Sequence, residues 1–514
     1  MGKIAAASAL LFSLLGIALI PYAGIQTDEP FFAVPIYEPP VKDYCIPVFH
    51  HQIPLMIFPY TGTLKTLLYW PILRIFGPNP YSLRIPVVLI GAVTVLLFFP
   101  VAKRMAGAPA ALIASLLLAT DPSFLLTNTF DWGPVAIEHL LLVTGCLLIA
   151  VKRPALGFFC FGLALWNKAV FVWALAGLAA GAALVYWPDL RRYLRGTGLR
   201  ACVVCPLALL AGALPLIVYN FHAPNATMRS NVHISTEDFR VKLVSFRQTV
   251  EGSALFGFVT APESEPLPKS PHTVSVWIRD HLGPHHSSLF GFSLLLSLLA
   301  APLWWHTPGR RAALFAIAFS LVAFLAMAFT RYTGYAHHIV LLWPMPQLLV
   351  GVAVAALRPR WLAAAAATVL IAANLLVVNQ YFAQLERNGA YGFFTDALYP
   401  LSDAIADRSG DTIYLVDWGV WGNLNFLHQG RLHLQPAWPI PARSQAEIEK
   451  MLSDPHALFL DHVQAREYYP GSGARLDAIA QSSGYQKQIV RTIQDSNGRP
   501  IFELIRWARI PPAA

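Results

Sequence analysis

Long apolar stretches follow one another along this chain, and that repetition decides what it can fold into. A helix rises about 1.5 Å per residue, so about 20 apolar residues cross the hydrocarbon of a bilayer. Roughly eleven such stretches occur, near 4–24, 84–102, 108–127, 134–151, 155–168, 170–187, 201–219, 287–305, 312–330, 337–357 and 361–380. The fifth is short, because Asn167 and Lys168 interrupt the run 155–187. Of the 514 residues, 56% are hydrophobic and 13% charged, against about 25% charged in soluble domains. A soluble fold of this size cannot hide so much apolar surface. The predicted fold class is therefore a polytopic α-helical membrane protein.

The charges orient it. A net charge of +9 would suggest nucleic acid in a soluble protein, but here the basic residues sit in short loops between apolar stretches, so no nucleic-acid partner is expected. With the N-terminus in the cytoplasm, every short inside loop is basic: Lys103-Arg104, Lys152-Arg153, Arg191-Arg192 with Arg195 and Arg200, Arg310-Arg311, and Arg358 with Arg360. That is the positive-inside pattern. The start, Met1-Gly2-Lys3 and then apolar residues to Ile20, is similar to a signal peptide, with Ala23-Gly24 as a cleavage candidate. The many later spans favour an uncleaved first helix in a multi-pass protein of the cell (inner or plasma) membrane.

Long segments then lie outside: 25–83, 220–286 and the tail from about 381, with shorter outer loops near 128–133 and 331–336. This predicts a membrane module over 1–380, with its chemistry outside, and a small extracytoplasmic α/β domain over 381–514. Apolar runs Thr412–Val416, Ala457–Leu460, Gln488–Ile493 and Ile501–Ile505 read as strands. Ser444 with Glu447 forms a capping box that starts a helix. The stretch Asp417-Trp418-Gly419-Val420-Trp421-Gly422-Asn423 reads as a packed turn or, alternatively, as the lining of an acceptor site.

Several residues can carry chemistry on the outer side. Asp28-Glu29 directly follows the first span among aromatic neighbours, where a carboxylate can act as a general base or merely be solvated. Tyr60-Thr61-Gly62-Thr63-Leu64-Lys65 precedes the apolar run Leu67–Phe76, too short to span and suited to a helix at the interface. Lys65 there can meet a phosphate or simply snorkel. Asp131 lies in a short outer loop, with Glu138 and His139 just inside the next span. Lys168 can pair with one of these acids. Arg331, Tyr332, Tyr335, His337 and His338 cluster at an outer end, as an anion site or an aromatic belt. His281, His285 and His286 have HxxxHH spacing without a nearby acid. The cysteines, Cys45, Cys146, Cys160, Cys202 and Cys205, form no disulfide framework, and the Cys202–Cys205 pair reads as small packing residues. Asn225-Ala226-Thr227 matches a glycosylation sequon that arises often by chance.

Over roughly residues 1–350 these features, in this order, resemble the GT-C glycosyltransferases, and among them family 39, which includes protein O-mannosyltransferases and the aminoarabinose transferases of lipid A. The resemblance rests on Asp28-Glu29, on Lys65, on Phe76-Gly77-Pro78-Asn79-Pro80-Tyr81-Ser82-Leu83-Arg84-Ile85-Pro86, on Asp131, and on Gly162-Leu163-Ala164-Leu165-Trp166-Asn167-Lys168. Two departures leave the donor sugar and acceptor unassigned: Tyr60–Lys65 replaces the family's usual "PPL", and the residues before Asp131 lack its common arginine.

The resemblance implies transfer of a sugar from a polyprenyl-phosphate donor, held in membrane lipid, to a hydroxyl on a glycan, lipid or protein acceptor, with inversion. It implies Asp28, Glu29 and Asp131 as catalytic acids and Lys65, Arg84, Arg331, His337 and His338 around the donor phosphate. Tyr60, Lys168 and Glu138 support them. No cofactor is assigned, and a divalent ion between the acidic loops is left open. Two other readings remain: a polysaccharide polymerase or ligase with a diphosphate-linked donor, which should carry more outer arginines, and a lipid or solute transporter, which should carry mid-membrane charges and repeated halves.

Overall fold

The computed structural model describes residues 2–37, 44–49, 51–197, 199–231, 233–331 and 333–510. Each of the eleven apolar stretches is helical. Among the described residues four helices are long and apolar enough to cross a membrane: Gly2–Tyr22, Pro80–Ala106, Arg310–Ala328 and Arg360–Asn388. Three bent pairs bring the number to seven if each is one span, and four shorter apolar helices lie beside them. A bundle this apolar has little sequence periodicity to read, because its helices face lipid on one side and other apolar helices on the other.

The breaks have local causes. Helix Pro154–Asn167 ends where Lys168 turns extended (φ −156°, ψ 122°). There the backbone pairs with the segment after the first helix: Thr61 bridges Lys168, and Ala169 N–H donates to the Tyr60 carbonyl at 2.8 Å. The interruption at Asn167-Lys168 is thus the place where loop and bundle join. The basic segment after Val185, expected as a loop, is largely the helix Trp187–Thr197, set at 91° to the helix before it. Its Asp189 pairs with Arg311, whose guanidinium also covers the Tyr186 ring at 4.4 Å.

The segment 25–83 contains, among the described residues, three strands that the sequence reading did not assign: β1 (Tyr44–Val48), β2 (His51–Phe58) and β3 (Thr61–Gly62), antiparallel in that order. Pro47 and Pro54 lie inside the first two and hide them, since proline ordinarily marks strand edges and bulges. Cys45, next to a break in register, pairs with Pro54. The following helix, Leu64–Phe76, is amphipathic: Lys65, Thr66, Tyr69 and Leu73 are buried, whereas Leu67, Leu68, Trp70, Ile75 and Phe76 are exposed. That exposed apolar face suits the membrane interface.

The tail forms a five-stranded sheet in the order β5-β4-β6-β8-β7, with β4 (Thr412–Leu415), β5 (His433–Pro436), β6 (Ala457–His462), β7 (Tyr485–Gln494) and β8 (Pro500–Arg509). β4 runs parallel to β5 and β6, and β8 is antiparallel to β6 and β7. The four expected strands are present. β5 was missed because it is a four-residue, mostly exposed edge strand. The capping box at Ser444 and Glu447 forms as expected.

The stretch 417–423 is a turn and a joint. Gly422 N–H donates to Thr27 Oγ1 at 3.2 Å, and Asn423 Nδ2 donates to the Ile25 carbonyl at 2.9 Å. A Cβ on Gly422 would lie 2.3 Å from the Thr27 carbonyl oxygen. The tail therefore packs directly on the backbone that carries Asp28 and Glu29.

Candidate active site

Where the loop after the first helix meets helix Pro80–Ala106, a charged pair is sealed from water. The Arg84 guanidinium is fully buried and all five of its N–H groups are used. Nε and Nη2 donate to the two Glu29 carboxylate oxygens at 2.7 and 2.9 Å. Nη1 and Nη2 donate to the carbonyls of Ile20, Ala23 and Gly24 at 2.7–3.1 Å. The cation also covers the Phe130 ring at 4.6 Å. Arg84 has no donor left for a phosphate and is not among the residues lining the cavity described below, which corrects its assignment to the donor site.

A second buried pair lies nearby. Lys65 Nζ is 2.7 Å from Asp131 Oδ2 and 4.3 Å from the Phe32 ring centroid. Asp131 Oδ1 meanwhile accepts from the N–H groups of Val135 and Ala136, at the start of helix Ala136–Ala150. Asp131 is thus a helix-start acceptor and a counterion at once. Lys65, expected at headgroup depth, is 2% exposed and committed to this pair.

Between these pairs opens a cavity of about 860 Å³. Its polar wall carries Asp28, Glu29, Tyr60, Lys65, Asp131, Asn167, Lys168, Arg331, Tyr335, His337 and His338, and its apolar wall includes Val172, Leu216, Met228 and Ala326. Residues far apart in sequence thus converge on one space. Lys168 Nζ donates to the Gly133 carbonyl at 2.9 Å. Trp132 Nε1 donates to His337 Nδ1 at 3.1 Å. The Arg331 N–H donates to the His233 carbonyl, and its guanidinium lies 3.7 Å from Glu237. Tyr332 lies outside the described residues. Glu138 is buried, both its oxygens lack hydrogen-bond partners, and it is not among the lining residues. Trp132 and Gly133 directly follow Asp131, and Asn167 stands in the quoted stretch Gly162–Lys168, but sequence reasoning gave them no role. A Cβ on Gly133 would lie 2.7 Å from the His337 ring, and only that contact gives the glycine away.

Three carboxylates line the cavity, and they differ. Glu29 and Asp131 each close on a cation. Asp28 makes no ion pair among the described residues; its carboxylate accepts one long bond, 3.3 Å, from Gln26 Nε2. Burial raises its pKa above the ordinary aspartate value, while the Gln26 bond and the Lys168 charge pull it back. Burial and the Asp28 charge likewise push up the Tyr60 hydroxyl.

Among the described residues no three His, Cys, Asp or Glu side chains gather as a metal-binding group. His281 and His285 each face a local carbonyl, of Trp277 and Gly283, at 2.8 Å. With Glu29 and Asp131 neutralised, Asp28 is the one cavity carboxylate open to a cation, a poor set for a divalent ion that takes several oxygen ligands.

No family model and no curated sequence matches the chain. Solved structures do. ArnT from Cupriavidus metallidurans in the apo state matches over 98% of this chain and 97% of its own, with TM-score 0.58 at 13% identity. The same protein bound to undecaprenyl phosphate gives 0.56 at 15% identity, with the same coverage. The Archaeoglobus fulgidus oligosaccharyltransferase in complex with Zn and sulfate gives 0.54 at 13% identity, over 99% of this chain and 74% of its own. The chain therefore has the GT-C fold.

Removing one partner of a buried pair leaves an uncompensated charge, at a cost of about 3–5 kcal/mol. Glu29→Gln should therefore lower the thermal midpoint of the detergent-solubilised protein sharply. Asp28→Asn should leave it unchanged or raise it, since it removes a half-buried charge that has no ion pair. Equal melting losses in both variants would contradict these separate roles.

Proposed function

We propose that the protein is a membrane glycosyltransferase that moves a sugar from a polyprenyl-phosphate donor to an acceptor hydroxyl on the outer face, with Asp28 as general base. One observation carries this reading: of the three carboxylates on the cavity wall, Asp28 alone is outside an ion pair among the described residues. The cavity suits the chemistry, with apolar Val172, Leu216 and Ala326 on one wall and the cations of Lys168 and Arg331 on another. A structural neighbour of the same fold was solved with undecaprenyl phosphate. On this reading the eleven helical stretches are eleven spans of the cell membrane, the N-terminus is cytoplasmic, residues 1–380 form the catalytic module, and the tail is extracytoplasmic.

The acceptor oxygen attacks the anomeric carbon as its proton passes to Asp28. The bond from that carbon to the phosphate oxygen breaks, and its electron pair leaves with the phosphate. Lys168, Arg331, His337 and His338 face the charge that grows there, a placement that is strongest where water is excluded. Lys65 acts mainly by holding Asp131, and Glu29 by holding Arg84; both are positioning residues. Glu138 backs Lys168 from behind the wall. The phosphate is a weak base, so no general acid is needed.

The test is transfer of labelled sugar from a panel of polyprenyl-phosphate donors in membranes. Wild type should label an acceptor, and Asp28→Asn should lower the rate by about 10²–10⁴. An Asp28→Asn rate equal to wild type would remove Asp28 as the base. If wild type consumes none of these donors, the diphosphate-donor and transporter readings take precedence.

The pH profile is a second test. A base must be deprotonated, so kcat/KM should fall as pH drops through the raised Asp28 pKa, above the ordinary aspartate value of 3.8. Lys168→Met removes a cation that favours the charged form, so the acid limb should move to higher pH. A limb that stays in place would show that Asp28 does not control it.

A further inference from the structure

Beside the main cavity lies a smaller pocket of about 220 Å³, between the tail and the turn Gly392–Phe394. The two spaces are one turn of backbone apart. Phe394 packs edge-on against Trp132 of the main cavity at 5.6 Å, and its carbonyl accepts from the Gly24 N–H at 2.7 Å. Phe393, the next residue along, faces the other way, into the small pocket. It meets Trp418 at 4.7 Å and Tyr468 at 5.4 Å between ring centroids. Tyr468 is half exposed and within electrostatic reach of Tyr335 and Asp28.

The aromatic shelf is held from below. Asp417, at the end of β4, accepts from the backbone N–H groups of Trp418, Tyr468 and Tyr469, and His462 Nδ1 lies 3.1 Å from it. One buried carboxylate therefore sets the ring positions, while the Tyr468 face stays open to solvent.

Polar groups complete the pocket. Arg499 is 3% exposed and lines it. Its Nε donates to Asp495 and its Nη2 to the Asn388 carbonyl, but among the described residues Nη1 has no hydrogen-bond partner and its contact with Glu265 is 3.7 Å. A buried guanidinium nitrogen left without a partner is costly. Arg466, also on the wall, is neutralised by Glu265. The two arginines are thus balanced by Asp495 and Glu265, and the other lining carboxylate, Glu467, accepts from the N–H groups of Gly471 and Gly473, so the pocket has no excess of positive charge to draw an anion. It offers aromatic faces and hydrogen-bonding groups in a space for one small ring. A neutral sugar matches both features: its C–H groups lie against a negatively polarised ring face, and a hydroxyl oxygen satisfies Arg499 Nη1.

We propose that this pocket is an acceptor subsite, which seats a neutral sugar ring on Tyr468 and Phe393, across the Gly392–Phe394 turn from the main cavity. The acceptor is then a saccharide, free or as a glycolipid headgroup, and not a polypeptide. The assignment rests on the transferase reading above only for the direction in which the sugar is used.

Binding is measured on the full chain in detergent by saturation-transfer NMR, with methyl glycosides of neutral hexoses and pentoses as probes. Wild type and Asp28→Asn should bind the same glycosides alike, and Tyr468→Ala, a change at an exposed side chain, should weaken them about tenfold. In transfer assays Tyr468→Ala should raise KM for the acceptor and leave KM for the donor unchanged. Glycoside binding unaffected by Tyr468→Ala overturns the subsite. So does binding of a Ser/Thr peptide with none of any glycoside. Glycoside binding that needs Tyr468, in a protein that transfers no sugar, supports the subsite and removes the transferase reading instead.

Discussion

The buried pair of Arg84 and Glu29 is the constraint on which the candidate site depends. Taking a guanidinium and a carboxylate out of water is expensive, and the expense is met only when every donor and acceptor is matched. Here the match includes three carbonyls at the end of the first helix and the start of the loop, at Ile20, Ala23 and Gly24. The guanidinium thereby ties the start of the outer loop to helix Pro80–Ala106. It sets where Asp28 stands, because Asp28 is the residue before Glu29. The tail presses on the same loop at Thr27 and Ile25 through Gly422 and Asn423. Asp28 is thus clamped between bundle and tail while its own carboxylate stays out of any ion pair among the described residues.

The second pair, Lys65 with Asp131, repeats the arrangement at the loop before helix Ala136–Ala150. It joins the amphipathic helix Leu64–Phe76 to the start of helix Ala136–Ala150. The two pairs are rigid walls with a cavity between them. On the proposed reading of Asp28 as the base, this setting suits it: burial makes its neutral form less unfavourable, and the Lys168 charge favours the carboxylate. The division of labour among three acids follows from their neighbours and not from their residue type.

Much of this was legible in sequence, and the limit is physical. Apolar run length gave the helical stretches, because the bilayer sets the length of a span. Four tail strands and the capping box at Ser444 were readable from local pattern. β1 and β2 were not, because Pro47 and Pro54 stand within them. For the site, position relative to the membrane brought Asp28, Lys65, Asp131, Lys168 and the Arg331–His338 group to attention, and they do share one cavity. Which charge meets which was not readable. Arg84 and Glu29 are 55 positions apart, and no local pattern says that they meet. The role of Gly422 was hidden for the same reason, since its tight contact is with Thr27, nearly 400 residues away.

The central claim is a single displacement at the anomeric carbon, with Asp28 removing the acceptor proton and no carboxylate attacking the sugar. The stereochemistry of the product tests it directly. A donor of known anomeric configuration is supplied, and the configuration of the product is read by NMR from the coupling at the anomeric proton. Inversion is the result the account predicts. Retention would require a covalent sugar–enzyme intermediate or a second displacement, and would contradict it.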